Sequence, residues 1–137
     1  MEAYSTVRTG TYPERLAAAF GFALALVLLR LPFRHTVRAT CLARRVGRRP
    51  LASARAEALV GAVRHTARWW PGRAACMETS LGAVLAAALL GRRLTWHLGA
   101  RFAPPPVEYH AWVELPGHGP VGEYTAAGWH HHTALTV

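Results

Sequence analysis

Residues 16–29, LAAAFGFALALVLL, carry no charge over fourteen positions, with Arg15 before them and Arg30 after. Such a run must be covered by something other than water. A membrane span needs about 20 apolar residues, so this one is short. A signal peptide would use Arg8 and Arg15 as its basic region. It would also need a small-x-small cleavage site, and RLPFRHTVR follows instead. The run is read as a helix that is buried or interfacial, with a membrane anchor as the other reading. Pro13 and Glu14 suit the start of that helix, and Pro32 ends it.

Two more helices are expected in this first region, which covers about 1–70. One spans about 34–46, with Arg34, Arg38, Arg44 and Arg45 beside Val37, Cys41 and Leu42. GRRP at 47–50 breaks it. The next opens at Ser53 and runs to about 69. Leu59, Val60, Val63, Ala67 and Trp70 form its apolar stripe. Trp69 and Trp70 are read as core packing or as a groove for a partner. The net charge of +9 comes from 16 Lys+Arg positions, all of them arginine. It favours anionic partners without choosing among nucleic acid, membrane surface and acidic peptide. The arginines are not interleaved with aromatics on a strand platform, and no helix-turn-helix pattern is present, so nucleic acid is not expected.

The second region, about 71–137, begins at the PGR hinge, 71–73. A helix follows over about 75–90, closed by Gly91. An alternating strand over 94–102 places Leu94, Trp96 and Leu98 on one face. A second strand covers 109–115, and PVGEYT returns as a third. The final GWHHHTALTV has no clear period. With 137 residues, the two regions amount to one modest unit.

The chemistry gathers in this second region. Cys76 stands just inside a predicted helix, where the dipole and unpaired N–H groups favour a thiolate and can bind an oxyanion. The plain alternative is a small buried hydrophobe. On the strand YHAWVEL, His110, Trp112 and Glu114 share one face. A two- or four-residue loop centred on Gly117 and His118 pairs Trp112 with Glu123 and places His110 opposite Thr125. Glu123 then lies diagonally from His110 on the same face. An odd loop puts it on the far face. Glu108 is a second candidate for the acid. Glu114 lies on the correct face but starts about 13 Å from His110 along the strand. The chain has no Asp, Asn or Gln, so any side-chain acid is a Glu and no amide serves in catalysis.

A cysteine at a helix start, a strand, a histidine strand, then an acid on its hairpin partner is the core order of transglutaminase-like, papain-related enzymes. The expected fold is therefore α+β: a papain/transglutaminase-like core, with the cysteine helix packed on a small antiparallel sheet, preceded by a basic helical region. Within that class, CMETSL, GAR, VEYHAWVE and PVGE resemble the motifs of lasso-peptide leader peptidases, the protease half of the split B protein. The family shows C-L-x-x-S-L, G-x-R, F-x-x-H-A-W-V-E and P-V-x-E/D. The resemblance covers about 69–123, and RLPFR with the arginine-rich helices is similar to the family's N-terminal part. Two positions depart: Met77 stands where Leu is usual, and the third triad position, often Asp, is Glu.

The resemblance implies a cysteine peptidase that removes the leader from a ribosomal precursor, with Cys76 as nucleophile, His110 as base and Glu123 orienting it. It implies no metal or organic cofactor. Its partners would be the precursor, a small leader-binding protein and a macrolactam synthetase resembling asparagine synthetase. The segment 16–31 would dock the leader-binding protein or rest on a membrane surface. A transglutaminase-like acyl transferase and a non-catalytic basic docking module are the competing readings. His130–His132 point in different directions and do not make a preformed zinc site. Two cysteines are too few for a disulfide framework, which points to free thiols in a reducing cytoplasm.

Overall fold

The computed structural model of the protein describes residues 11–71, 76–103, 108–115, 119–121 and 130–137. Helix α1, Tyr12–Leu28, begins where the Thr11 backbone N–H donates to the Glu14 carboxylate at 3.1 Å. That bond satisfies one of the donors left open at a helix start. Glu14 is buried and also lies 3.9 Å from Arg55 of α3, Ser53–Arg68. Between them runs α2, Phe33–Val46. Its buried Thr36 hydroxyl donates back to the Leu28 carbonyl at 3.3 Å, closing the α1–α2 corner.

Helix α4, Cys76–Leu89, is the axis of the molecule. Every residue from Ser80 to Ala87 is buried, so α4 has no solvent face along that stretch. α1 and α3 pack on it from one side and the sheet from the other. The α1–α4 crossing is built from small residues: Gly21 meets Gly82 and Ala86, and Ala18 and Ala25 of α1 are fully buried. A methyl group on Gly21 would lie 2.7 Å from the Ala86 nitrogen, inside any permitted contact. α4 ends at Gly91, whose φ of +70° is the left-handed value glycine adopts without penalty.

The main sheet has the order β5-β4-β3-β6 and is antiparallel throughout. Its strands are β3 (Thr95–Ala103), β4 (Glu108–Leu115), β5 (Gly119–Pro120) and β6 (His130–Thr136). Leu94 and Trp96 are buried on the helix side with Ala111, Val113 and Leu115, as the alternation predicts. A separate two-residue parallel pair joins β1 (Arg49–Pro50) to β2 (Arg92–Arg93).

Two expectations need correction. Leu115 pairs with Gly119 and Glu114 with Pro120, leaving three residues between the strands. The Val121 N–H donates to the Val113 carbonyl at 2.9 Å in the same register. Loop parity decides which face each residue takes, so the even loop expected for this hairpin is not the one formed; Glu123 itself lies outside the described residues. Second, the tail without a period is strand β6. It is an edge strand whose Thr133–Thr136 side chains are exposed. Burial imposed no alternation on it, and its signal is the backbone ladder to β3. The ladder finishes with mutual Trp96–Val137 backbone bonds of 3.0 and 2.9 Å.

Half of α1 is covered and half is not. Tyr12, Leu16, Phe20, Leu24 and Val27 remain exposed, Phe20 at 63%. Among the described residues, no helix is long and apolar enough to cross a membrane. Trp69 is 81% exposed and Trp70 38%. Both lie past the last turn of α3, so the core-packing reading of this pair is overturned.

Gly21→Ala should lower stability by about 1–3 kcal/mol through overpacking, although alanine is the better helix former by about 1 kcal/mol. Chemical denaturation checks it. Unchanged or raised stability would mean that α1 and α4 separate without cost.

Candidate active site

Cys76 is the first residue of α4. The N–H groups of that first turn have no intrahelical partner, so the sulfur stands at a concentration of partial positive charge. What holds this turn to the sheet is one residue further along the same helix face. The fully buried Trp96 of β3 donates its indole N–H to the Ser80 hydroxyl at 2.9 Å. Ser80 lies four positions, about one turn, beyond Cys76.

The structure brings Cys76 and His110 together in a side-chain hydrogen bond, and the Ala111 backbone N–H also donates to the sulfur. Strand geometry explains the second contact. Val113 turns its carbonyl toward β5, so Ala111, two residues earlier, presents its N–H along the same edge. The thiol therefore occupies the β4 edge beyond the reach of the two-residue β5. The bond to His110 lowers the Cys76 pKa most. Burial opposes it, the Ala111 N–H and the His110 charge reinforce it, and Glu78 opposes weakly. The net direction is downward, toward thiolate.

His110 is itself set by a neighbour. Its ring stacks on Trp112, with centroids 5.9 Å apart and planes 15° apart. Trp112 is buried, and its indole N–H donates to the Glu114 carboxylate at 3.1 Å. The other carboxylate oxygen lies 3.2 Å from Nε2 of His97, which also stacks on Trp112 at 5.7 Å. Nδ1 of His97 lies 3.2 Å from the Thr133 hydroxyl and 3.4 Å from that of Thr136. A neutral His97 with its proton on Nε2 donates to Glu114, and its single Nδ1 lone pair is shared between the two threonine hydroxyls, Thr133 being the nearer. Burial pushes the His97 pKa down, against a smaller upward pull from Glu114.

The candidate acids divide accordingly. Glu123 lies outside the described residues. Glu108 lies on β4 opposite Arg101. Glu114 is engaged by Trp112 and His97. Sequence reasoning missed His97, Ser80 and the placing role of Trp112. The H-A-W-V-E alternation already put His110, Trp112 and Glu114 on one face, but only the β3–β4 register sets His97 opposite Trp112. Of the three histidines at 130–132, β6 carries all, paired in turn with Ala103, Arg101 and Ala100. Both cysteines are free.

A cavity of about 370 Å³ opens at the thiol, lined by Cys76, Met77, Leu98, Gly99, His110 and Ala134 among others. Gly99 faces His110 across the β3–β4 ladder, and its missing side chain leaves the space open. A polarised thiol, an imidazole bonded to it, backbone donors at a helix start and an apolar cleft can together attack and hold an acyl group.

That arrangement agrees with what the whole chain matches. Residues 16–136 fit the family model of the transglutaminase-like superfamily, and the protein belongs to that superfamily. Its members include cysteine peptidases and acyl transferases. No curated protein and no solved structure gives a match.

Alkylation of Cys76 should follow a pH profile with its midpoint below the ~8.5 of a free thiol, and His110→Ala should move it upward. Mass spectrometry of the Cys76 peptide between pH 5 and 10 reads this; an unmoved midpoint would remove His110 as the cause.

His97 generates a second expectation. A histidine whose folded pKa is depressed binds its proton more weakly when native than when unfolded. Its contribution to stability is complete above the ordinary value of about 6.5 and declines as pH falls below it. The melting temperature should fall between pH 7.5 and 5.5, and His97→Gln should flatten that fall. An equal slope in the variant would assign the loss to other groups.

Proposed function

We propose that this protein is a cysteine peptidase that removes the leader from a ribosomally made precursor peptide, as in lasso-peptide biosynthesis. The observation that carries the peptidase reading is the Cys76–His110 hydrogen bond at the start of α4. The lasso-peptide assignment rests on the resemblance of CMETSL, GAR, VEYHAWVE and PVGE to the leader peptidases. Cys76 attacks the scissile carbonyl carbon, and His110 takes the thiol proton and passes it to the leaving amine. Water then cleaves the thioester, with His110 as base. The Cys76 N–H is the simplest oxyanion donor. Glu123 is the proposed partner of His110, and Glu108 the alternate. The apolar cavity suits an apolar side chain beside the cut bond. The partners are the precursor and a small leader-binding protein, with a macrolactam synthetase acting on the released core.

An acyl transferase would use the same nucleophile and base, with an amine in place of water. The product mass separates the two: hydrolysis gives leader and core whose masses sum to precursor plus one water. The test is incubation of the cognate precursor and leader-binding protein with wild type, Cys76→Ala, His110→Ala, Glu123→Ala and Glu108→Ala, followed by mass spectrometry. Cys76→Ala should release no leader, and His110→Ala should slow release by about 10²–10⁴-fold. Of the two glutamate variants, the slower marks the third residue of the triad. Leader release at the wild-type rate by a folded Cys76→Ala protein would end the catalytic reading and leave a docking module.

A further inference from the structure

The chain holds a second cavity, larger than the one at Cys76, and its lining is basic. It measures about 560 Å³ and is bounded by Cys41, Arg44, Arg45, Gly47, Arg48 and Arg93. Arg44 and Arg45 close the last turn of α2, where cations complement the helix dipole. Arg93 comes from β2, directly after α4, and reaches the cavity because β1 and β2 pair in parallel. Gly47 allows the close approach. Any side chain there would collide with the Arg92 carbonyl and lie 3.0 Å from the Arg93 α-carbon.

No carboxylate among the described residues lines this cavity. Among the described residues none lies within ion-pair distance of Arg44, Arg45, Arg48 or Arg93. The Arg93 Nε is buried and has no hydrogen-bond partner among them. A desolvated, unpaired guanidinium nitrogen is costly, and four cations round one space repel each other. An oxyanion relieves both, since Nε and a terminal nitrogen of arginine form a fork that matches two oxygens.

We propose that this cavity binds an acidic segment of polypeptide, one carrying several carboxylates. Arg44 and Arg45 are successive helical residues and diverge by about 100°. The guanidinium groups are thus distributed round the cavity rather than aimed at one point, which fits separate carboxylates better than a single phosphate. Among the described residues no aromatic side chain lines the cavity, and single-stranded nucleic acid uses such a stacking platform. The site is at the opposite end of α4 from Cys76, about 20 Å along a 14-residue helix. It is an exosite in relation to the thiol, and it does not depend on the peptidase reading.

The test uses the full chain carrying Cys76→Ala, which leaves Cys41 as the lone cysteine of the original two. The probe is fluorescein-labelled hexaglutamate, followed by anisotropy at low salt. Arg48→Glu and the pair Arg44→Glu/Arg45→Glu should each weaken binding at least tenfold. Arg93→Lys keeps the charge but removes the fork, and should weaken it several-fold. Arg68→Glu, at the end of α3 and outside the cavity, should change it less than twofold. Unlabelled hexaglutamate should slow N-ethylmaleimide labelling of Cys41, whereas hexaglutamine should not. An equal loss in Arg68→Glu and Arg48→Glu would reduce the effect to net charge and overturn the proposal. Displacement of the probe by inorganic phosphate or oligo-dT at lower concentration than by hexaglutamate would overturn it in favour of a phosphate site.

Discussion

The close approach of α1 and α4 through Gly21 and Gly82 is the contact on which the rest of the structure depends. A backbone-to-backbone crossing lets α4 bury its whole circumference while still meeting α3 and the sheet. Larger residues at the crossing would lift α1 away and open a gap beside Phe22 and Val63, the groups nearest Gly82. Interiors tolerate little of this, because side chains are packed at near-crystalline density. The helix so enclosed carries Cys76 at its start.

From that fixed axis the site is assembled by a short series of contacts. Trp96 holds the first turn of α4 to β3 through Ser80. β3 sets β4 in register, and β4 delivers both the His110 imidazole and the Ala111 N–H to the sulfur. His110 stands against Trp112, whose rotation is held by Glu114, which is in turn held by His97 and the β6 threonines. A thiol with a lowered pKa and an imidazole in contact with it are the chemical core of the superfamily to which the chain belongs. The buried polar network beyond them is satisfied at each step that the structure describes, which makes a rigid support rather than a cost.

The arginines divide along similar lines. Arg55 is spent on the buried Glu14. Arg44, Arg45, Arg48 and Arg93 share a cavity that holds no counter-charge among the described residues. Composition alone sees only a net +9, and a uniform excess of charge would be an argument about solubility. The concentration of guanidinium groups round one cavity makes it an argument about a ligand.

The four helices and the two long strands were legible in the chain, as were the places of Cys76 at a helix start and His110 on a strand. Each of these follows from a local rule: apolar period, helix breakers, the left-handed Gly91, the alternation of YHAWVEL. The hairpin register was not local. A three-residue loop and a two-residue loop are written with the same Pro, Gly and His, and the difference of one residue moves every side chain to the other face. Strand β6 was invisible because an exposed edge strand is chosen by unpaired backbone on β3, which no side-chain pattern records. The meeting of His97 with Glu114, and of Arg93 with the end of α2, joins residues far apart in the chain. Those contacts depend on which strands become neighbours and how closely the helices pack, which no local pattern in the chain specifies.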